Sequence, residues 1–116
     1  MDKSKKQILE QTTNFVVQEF GMEIDHPQEI TEEELRDMLA ECVLYWIEHN
    51  LEHLFSILYR LDVHEPSVHR AFAPEAVEPA NLVIAQLIID REKEKIRSRQ
   101  KYSSQNNDDD DGVSRW

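Results

Sequence analysis

Between Thr31 and His49 the apolar residues fall at Leu35, Met38, Leu39, Cys42, Val43, Trp46 and Ile47. These intervals of three and four describe one face of an α-helix, and the stripe is wide, about half the circumference. A helix with so broad an apolar face is stable only when that face is buried against other elements. Its start is marked by Thr31-Glu32-Glu33-Glu34, a capping box in which the Thr31 oxygen takes the Glu34 amide and Glu34 reaches back. Three glutamates in the first turn also suit the positive end of the helix dipole.

The partners of this helix follow from the same periodicity. Leu51, Leu54, Phe55, Ile57, Leu58 and Leu61 form a second stripe, with Glu52, Ser56 and Arg60 opposite. Asn50 lies between the two. It either ends the first helix in a left-handed conformation or caps the next, and the alternative is one helix from 31 to 62. Pro66 fits the first turn of a short helix over 66–72, where its missing N–H is harmless. From Pro79 to about Tyr102 the chain reads as a long helix, apolar nearly all round at Leu82, Val83, Ile84, Leu87, Ile88 and Ile89. Such a helix belongs at the centre of a bundle. A strand over 82–89 is the competing reading, opposed by the strong helix formers after it.

The N-terminal segment is less decided. Ile8, Leu9, Phe15, Val16 and Phe20 have helical spacing over 4–20, whereas Thr12-Thr13-Asn14-Phe15-Val16-Val17 is β-branched enough for a strand. Gly21 ends this segment and 22–30 connects it to the capping box. Only Gly21 and Gly112 are glycine, and sheets of hairpins need more. The expected fold is therefore all-α: a small bundle of four to five helices with a long C-terminal helix. Its parts are an N-terminal helix and connector (1–30), a helical core domain (31–102) and a disordered acidic tail (103–116). Leu35, Leu39, Val43, Trp46, Leu54, Leu58, Leu61, Ile84, Leu87 and Ile88 are the expected core.

Charge narrows function. The chain holds 24 acids and 13 bases, a formal net charge of −11 with histidine neutral. Residues 1–90 carry 18 acids against 6 bases, and residues 91–102 carry 6 bases against 2 acids. The overall field repels nucleic acid and anionic membrane. No apolar run approaches the length of a membrane span, and no apolar stretch follows the basic N-terminal residues, so neither an anchor nor a signal peptide is expected. With a single cysteine, Cys42, no intrachain disulfide forms, and a reducing cytoplasm is the default. Cys42 lies within an apolar stripe and reads as a small buried hydrophobe rather than a reactive thiol.

The chemistry of common enzymes is missing from the sequence. Two glycines do not make a phosphate-cradling loop, one cysteine does not make a zinc finger, and no nucleophile elbow is present. Close acid pairs such as Glu33 and Asp37 are expected by chance at this acidity. No catalytic residue and no cofactor is assigned, and the chain reads as non-enzymatic. His49 and His53, four apart, are the candidates for a metal site, with Glu48 or Glu52 adding an oxygen. That site needs a helix running unbroken through Asn50.

Two surfaces remain as partner candidates. On the outer face of the 31–49 helix, Glu34, Asp37, Glu41 and Glu48 surround Leu44, with Tyr45 beside it. An acidic rim around an apolar anchor suits a basic protein partner, against the plainer reading of a solvated face with one stray leucine. The basic stretch 91–101, with Arg91, Lys95, Ile96 and Arg99, admits three readings. It is a solvated helix end, a contact to an acidic surface of this chain or another, or a touch on nucleic-acid phosphate. Leu82, Ile89 and Ile96 fall at heptad spacing, which admits a helix–helix seam or dimer. A protein partner or self-association is thus the leading expectation. A metal-binding protein or metal-dependent enzyme using His49 and His53 is the second, and a nucleic-acid accessory factor acting through the basic helix 91–101 the third.

Tyr59-Arg60-Leu61-Asp62-Val63, followed by Leu87-Ile88-Ile89-Asp90-Arg91-Glu92-Lys93-Glu94-Lys95, resembles a pattern in short helical bacterial proteins without known activity. The likeness spans about residues 35–102. It implies an autonomous helical domain and supplies no activity.

Overall fold

In the computed structural model, which describes residues 2–114 and the side chains of residues 5–101, the chain folds into five α-helices. They are α1 (Asp2–Phe20), α2 (Glu32–His49), α3 (Leu51–Arg60), α4 (Glu65–Ala71) and α5 (Ala80–Ser114), with a single 3-10 turn at Pro27–Glu29. No strand occurs among the described residues. The acidic tail expected over 103–116 lies outside the residues whose side chains are described.

The open question at the N-terminus resolves as helix. Thr12 and Thr13 are buried, and each donates its hydroxyl to the carbonyl four residues back, Thr12 to Ile8 at 2.7 Å and Thr13 to Leu9 at 2.8 Å. A β-branched pair enters a helix interior at little cost when its hydroxyls find these acceptors. Gly21 then closes α1 at φ +64°, letting the Met22 amide reach the Val17 carbonyl at 3.0 Å.

The capping box forms in full at Thr31 and Glu34, with both hydrogen bonds near 3 Å. Asn50 breaks the chain between α2 and α3, so there is no single helix from 31 to 62. Its backbone there is not left-handed, with φ −159° and ψ 74°. Its side-chain oxygen accepts the His53 amide at 3.1 Å, so Asn50 serves as the N-cap of α3. Pro66 opens α4 in its first turn.

α5 is the central element, packing against α1, α2 and α4, most extensively against α2. Its apolar first half is helical, not a strand, and Ile84, Ala85, Ile88 and Ile89 are fully enclosed. They meet a core containing Val16, Leu35, Leu39, Val43, Leu54 and Leu58. Each such side chain contributes roughly 1.5–3 kcal/mol by leaving water. Two expected core members sit at the edge instead. Trp46 is half-buried between the Phe20 ring and His53, and Leu87 is half-buried on the flank of α5. Both lie at the margins of stripes too wide for a single packing contact to cover.

Candidate interaction surfaces

The outer face of α2 carries every acidic candidate into solvent: Glu34, Asp37, Glu41 and Glu48 are exposed, as is Glu33. Leu44 and Tyr45 stand among them, 41% and 57% exposed. Asp37 meets the neighbouring Arg36 at 3.3 Å. Among the described residues, Glu33, Glu41 and Glu48 have no cation within ion-pair distance. Beside this face, the connector after α1 and the first turns of α2 form an open cleft of about 470 Å³. Ile24, Ile30 and Met38 line it, Asp25 and Glu29 stand on one side, and Glu34 and Asp37 are shared with the α2 face. No lysine or arginine lines this cleft. The apolar floor and the acids therefore form one continuous surface.

Cys42 is half-buried rather than enclosed. Burial pushes its thiol above the ordinary range, and the charge of Glu41 pushes it further, which keeps it protonated and a weak nucleophile.

The break at Asn50 puts the two histidines on different helices, His49 on α2 and His53 on α3. The His49 ring stacks on Tyr45 at 4.3 Å, with Nδ1 2.9 Å from the Tyr45 carbonyl oxygen. His53 instead meets the Trp46 ring edge-on at 4.9 Å. Each histidine is held by its own aromatic partner, and no cluster of three or more metal-ligating side chains stands together among the described residues.

Of the six cations in the basic stretch of α5, Arg91, Lys93 and Lys95 meet acids and carbonyls of their own domain, in keeping with the reading of a contact to an acidic surface of this chain, while Arg97, Arg99 and Lys101 are exposed. Arg91 donates to the Asp62 carbonyl and carboxylate and to Glu94. Those hydrogen bonds, with Asp62 first, raise its already high pKa. Lys95 donates to the Leu61 carbonyl at 2.6 Å and to Glu92 at 3.2 Å. Lys93 reaches Glu32 at 2.6 Å. The reason is geometric: α5 passes the C-terminal end of α3, whose last carbonyls lack intrahelical donors and attract cations. It also passes the acidic first turn of α2. Ile96 is buried, as is Ile89, so the heptad seam is used inside the molecule. Of the four α5 candidates only Arg99 is exposed.

A third surface was not anticipated. Leu51 and Phe55, placed above in the core-facing stripe of α3, are 39% and 41% exposed, and Tyr59 is 87% exposed. The three are spaced by four, so they form a row along one side of α3. Phe55 and Tyr59 line a cleft of about 530 Å³ between α3 and α4, floored by Leu58, Val63 and Val68. The Phe55 ring also meets Phe72 edge-on at 5.8 Å. The sequence carried a signal for it: with Tyr59 included, the apolar arc of α3 is wider than one packing face absorbs.

No protein-family model matches the chain, and neither a curated protein nor a solved structure shows significant similarity to it. No helix among the described residues is long and apolar enough to cross a membrane.

Proposed function

We propose that this chain is a non-catalytic interaction module whose α2 face docks a basic, amphipathic segment of a protein partner. One observation carries the reading: an apolar cleft and two exposed apolar side chains, Leu44 and Tyr45, share a surface on which acids are abundant and mostly unpaired. The contrast with α5 supports it. Arg91, Lys93 and Lys95 are engaged by the domain's own acids, yet Glu33, Glu41 and Glu48 have no cation near them among the described residues. Apolar anchors supply affinity, and the surrounding acids supply attraction and register. The engagement of Arg91, Lys93 and Lys95 weighs against a nucleic-acid role, because a phosphate there would have to displace carboxylates already in place. Arg97, Arg99 and Lys101 stand exposed beyond them.

The test uses the full chain and a synthetic amphipathic Lys/Leu helix as probe. Titration should show binding that weakens roughly tenfold or more as salt is raised several-fold. Leu44→Ala with Glu41→Lys should weaken it strongly, whereas Glu75→Lys, in the loop before α5, should leave it nearly unchanged. Equal losses from both charge changes, or binding indifferent to salt, overturns the reading.

A further inference from the structure

The cleft between α3 and α4 joins an apolar floor to two aromatic rings and two carboxylates, with no lysine or arginine in its lining. Phe55 and Tyr59 supply the rings, Asp62 and Glu65 the carboxylates, and His64 and His69 complete the polar lining. Its volume of about 530 Å³ is that of a small-molecule site.

The charge in this cleft can be counted. The Asp62 carboxylate is bonded to the Arg91 guanidinium at 2.8 Å, so its charge is already answered. Glu65 lies 3.7 Å from His69, which pairs with it only when the imidazole is protonated. Among the described residues Glu65 has no lysine or arginine within ion-pair distance. One negative charge is therefore left beside two rings and an apolar floor.

We infer that this cleft binds a small organic monocation, an amine or quaternary ammonium that carries an alkyl or aryl body. Aromatic rings attract such a head through the negative charge of their faces, and Glu65 answers its positive charge. Leu58, Val63 and Val68 take the apolar body out of water. An anion meets carboxylates here and no cation in the lining. A neutral molecule gains nothing from Glu65. A metal ion needs several ligands gathered together, and no group of three or more such side chains stands together among the described residues. The inference does not rest on the α2 reading, because the two clefts share no residue.

The test is a titration of the full chain followed by amide NMR shifts. Hexyltrimethylammonium is the probe, with hexanesulfonate and hexanol as its anionic and neutral counterparts. The cation should shift the amides around Tyr59 and Glu65 saturably, with a Kd of about 1 mM or tighter. Hexanol should bind at least several-fold more weakly, and the sulfonate should leave these amides unmoved. Tyr59→Ala and Glu65→Gln change exposed side chains and should keep the helical circular dichroism, yet each should weaken the cation several-fold. Leu44→Ala with Glu41→Lys should not. The absence of a saturable shift around the cleft by about 10 mM overturns the inference. So do three probes that bind alike, a cation whose shifts are confined to the α2 face, or either cleft variant binding as the parent chain does.

Discussion

Arg91 donates through Nε to the carbonyl oxygen of Asp62 at 3.0 Å and through Nη2 to its carboxylate at 2.8 Å. Asp62 holds φ +61°, a left-handed conformation that glycine usually occupies at a helix end. The Asp62 and Val63 amides return to the carbonyls of Tyr59 and Leu58, closing α3. One residue from α5 therefore steadies the backbone turn that ends α3. Arg91→Ala should cost about 1 kcal/mol, since both partners are substantially in water. At position 62, Asp62→Ala should be less stable than Asp62→Gly by about 1 kcal/mol, because only glycine accepts this φ freely. Urea denaturation of the three variants measures both differences.

Glu92 is 2% exposed and is paired with Lys95 at 3.2 Å. Removing only the cation strands a carboxylate out of water. Lys95→Met should therefore destabilise the chain by about 3 kcal/mol or more. The double change Glu92→Leu with Lys95→Met should recover most of that loss, because a buried pair is replaced by apolar groups of similar volume. Denaturation midpoints of the single and double variants decide it. A double variant as unstable as Lys95→Met would show that Lys95 acts through the Leu61 carbonyl instead.

Leu39 and Trp46 lie on the same stripe of α2, yet Leu39 is fully enclosed and Trp46 is only half-buried. Leu39→Ala leaves a cavity between α2 and α5 and should cost about 3 kcal/mol. Trp46→Ala should cost less despite removing more atoms, because its edge already meets solvent. Thermal unfolding followed by circular dichroism ranks the two.

Glu32 binds Lys93 at 2.6 Å and Gln86 at 3.0 Å, joining the start of α2 to α5. Burial raises its carboxyl, but hydrogen bonds from Lys93 and Gln86, with the charges of Lys93 and Arg36, outweigh that and hold it below the ordinary range. A carboxyl whose folded pKa is depressed stabilises the fold fully above its unfolded value. That contribution is lost as pH falls through the folded value. The wild-type chain should exceed Glu32→Gln in melting temperature at neutral pH, and the gap should close below about pH 4. A gap constant down to pH 3 or so would contradict this linkage.

The local signals that proved readable share one property: each is satisfied within a few residues. The Thr31–Glu34 box, the Asn50 cap and the Gly21 stop close their hydrogen bonds at short range, and Pro66 in a first turn needs none. The acidic face of α2 was legible for the same reason, since one helix suffices to place Glu34, Asp37, Glu41, Leu44 and Glu48 together. The choice among the three readings of the α5 cations stayed open in the sequence because it depends on what lies across from them. Nothing in Arg91 to Arg99 tells that Leu61, Asp62 and Glu32 wait opposite, between 29 and 61 residues away along the chain. Leu51 and Phe55, read as part of the α3 stripe, lie exposed for the same reason. A wide apolar arc shows that a helix is sticky and leaves open which part of it finds a neighbour.

What the residues dictate alone is helical: where α2, α3 and α4 begin, which stripe wants shelter, and that the chain is acidic. These follow from backbone hydrogen bonds and from side-chain periodicity, which act over one or two turns. What only packing decided is allocation. α5 took the centre, its cations closed the end of α3 and the start of α2, and an apolar row on α3 was left in water. Burial is a property of pairs of surfaces, and the second surface of each pair lies too far along the chain for periodicity to identify.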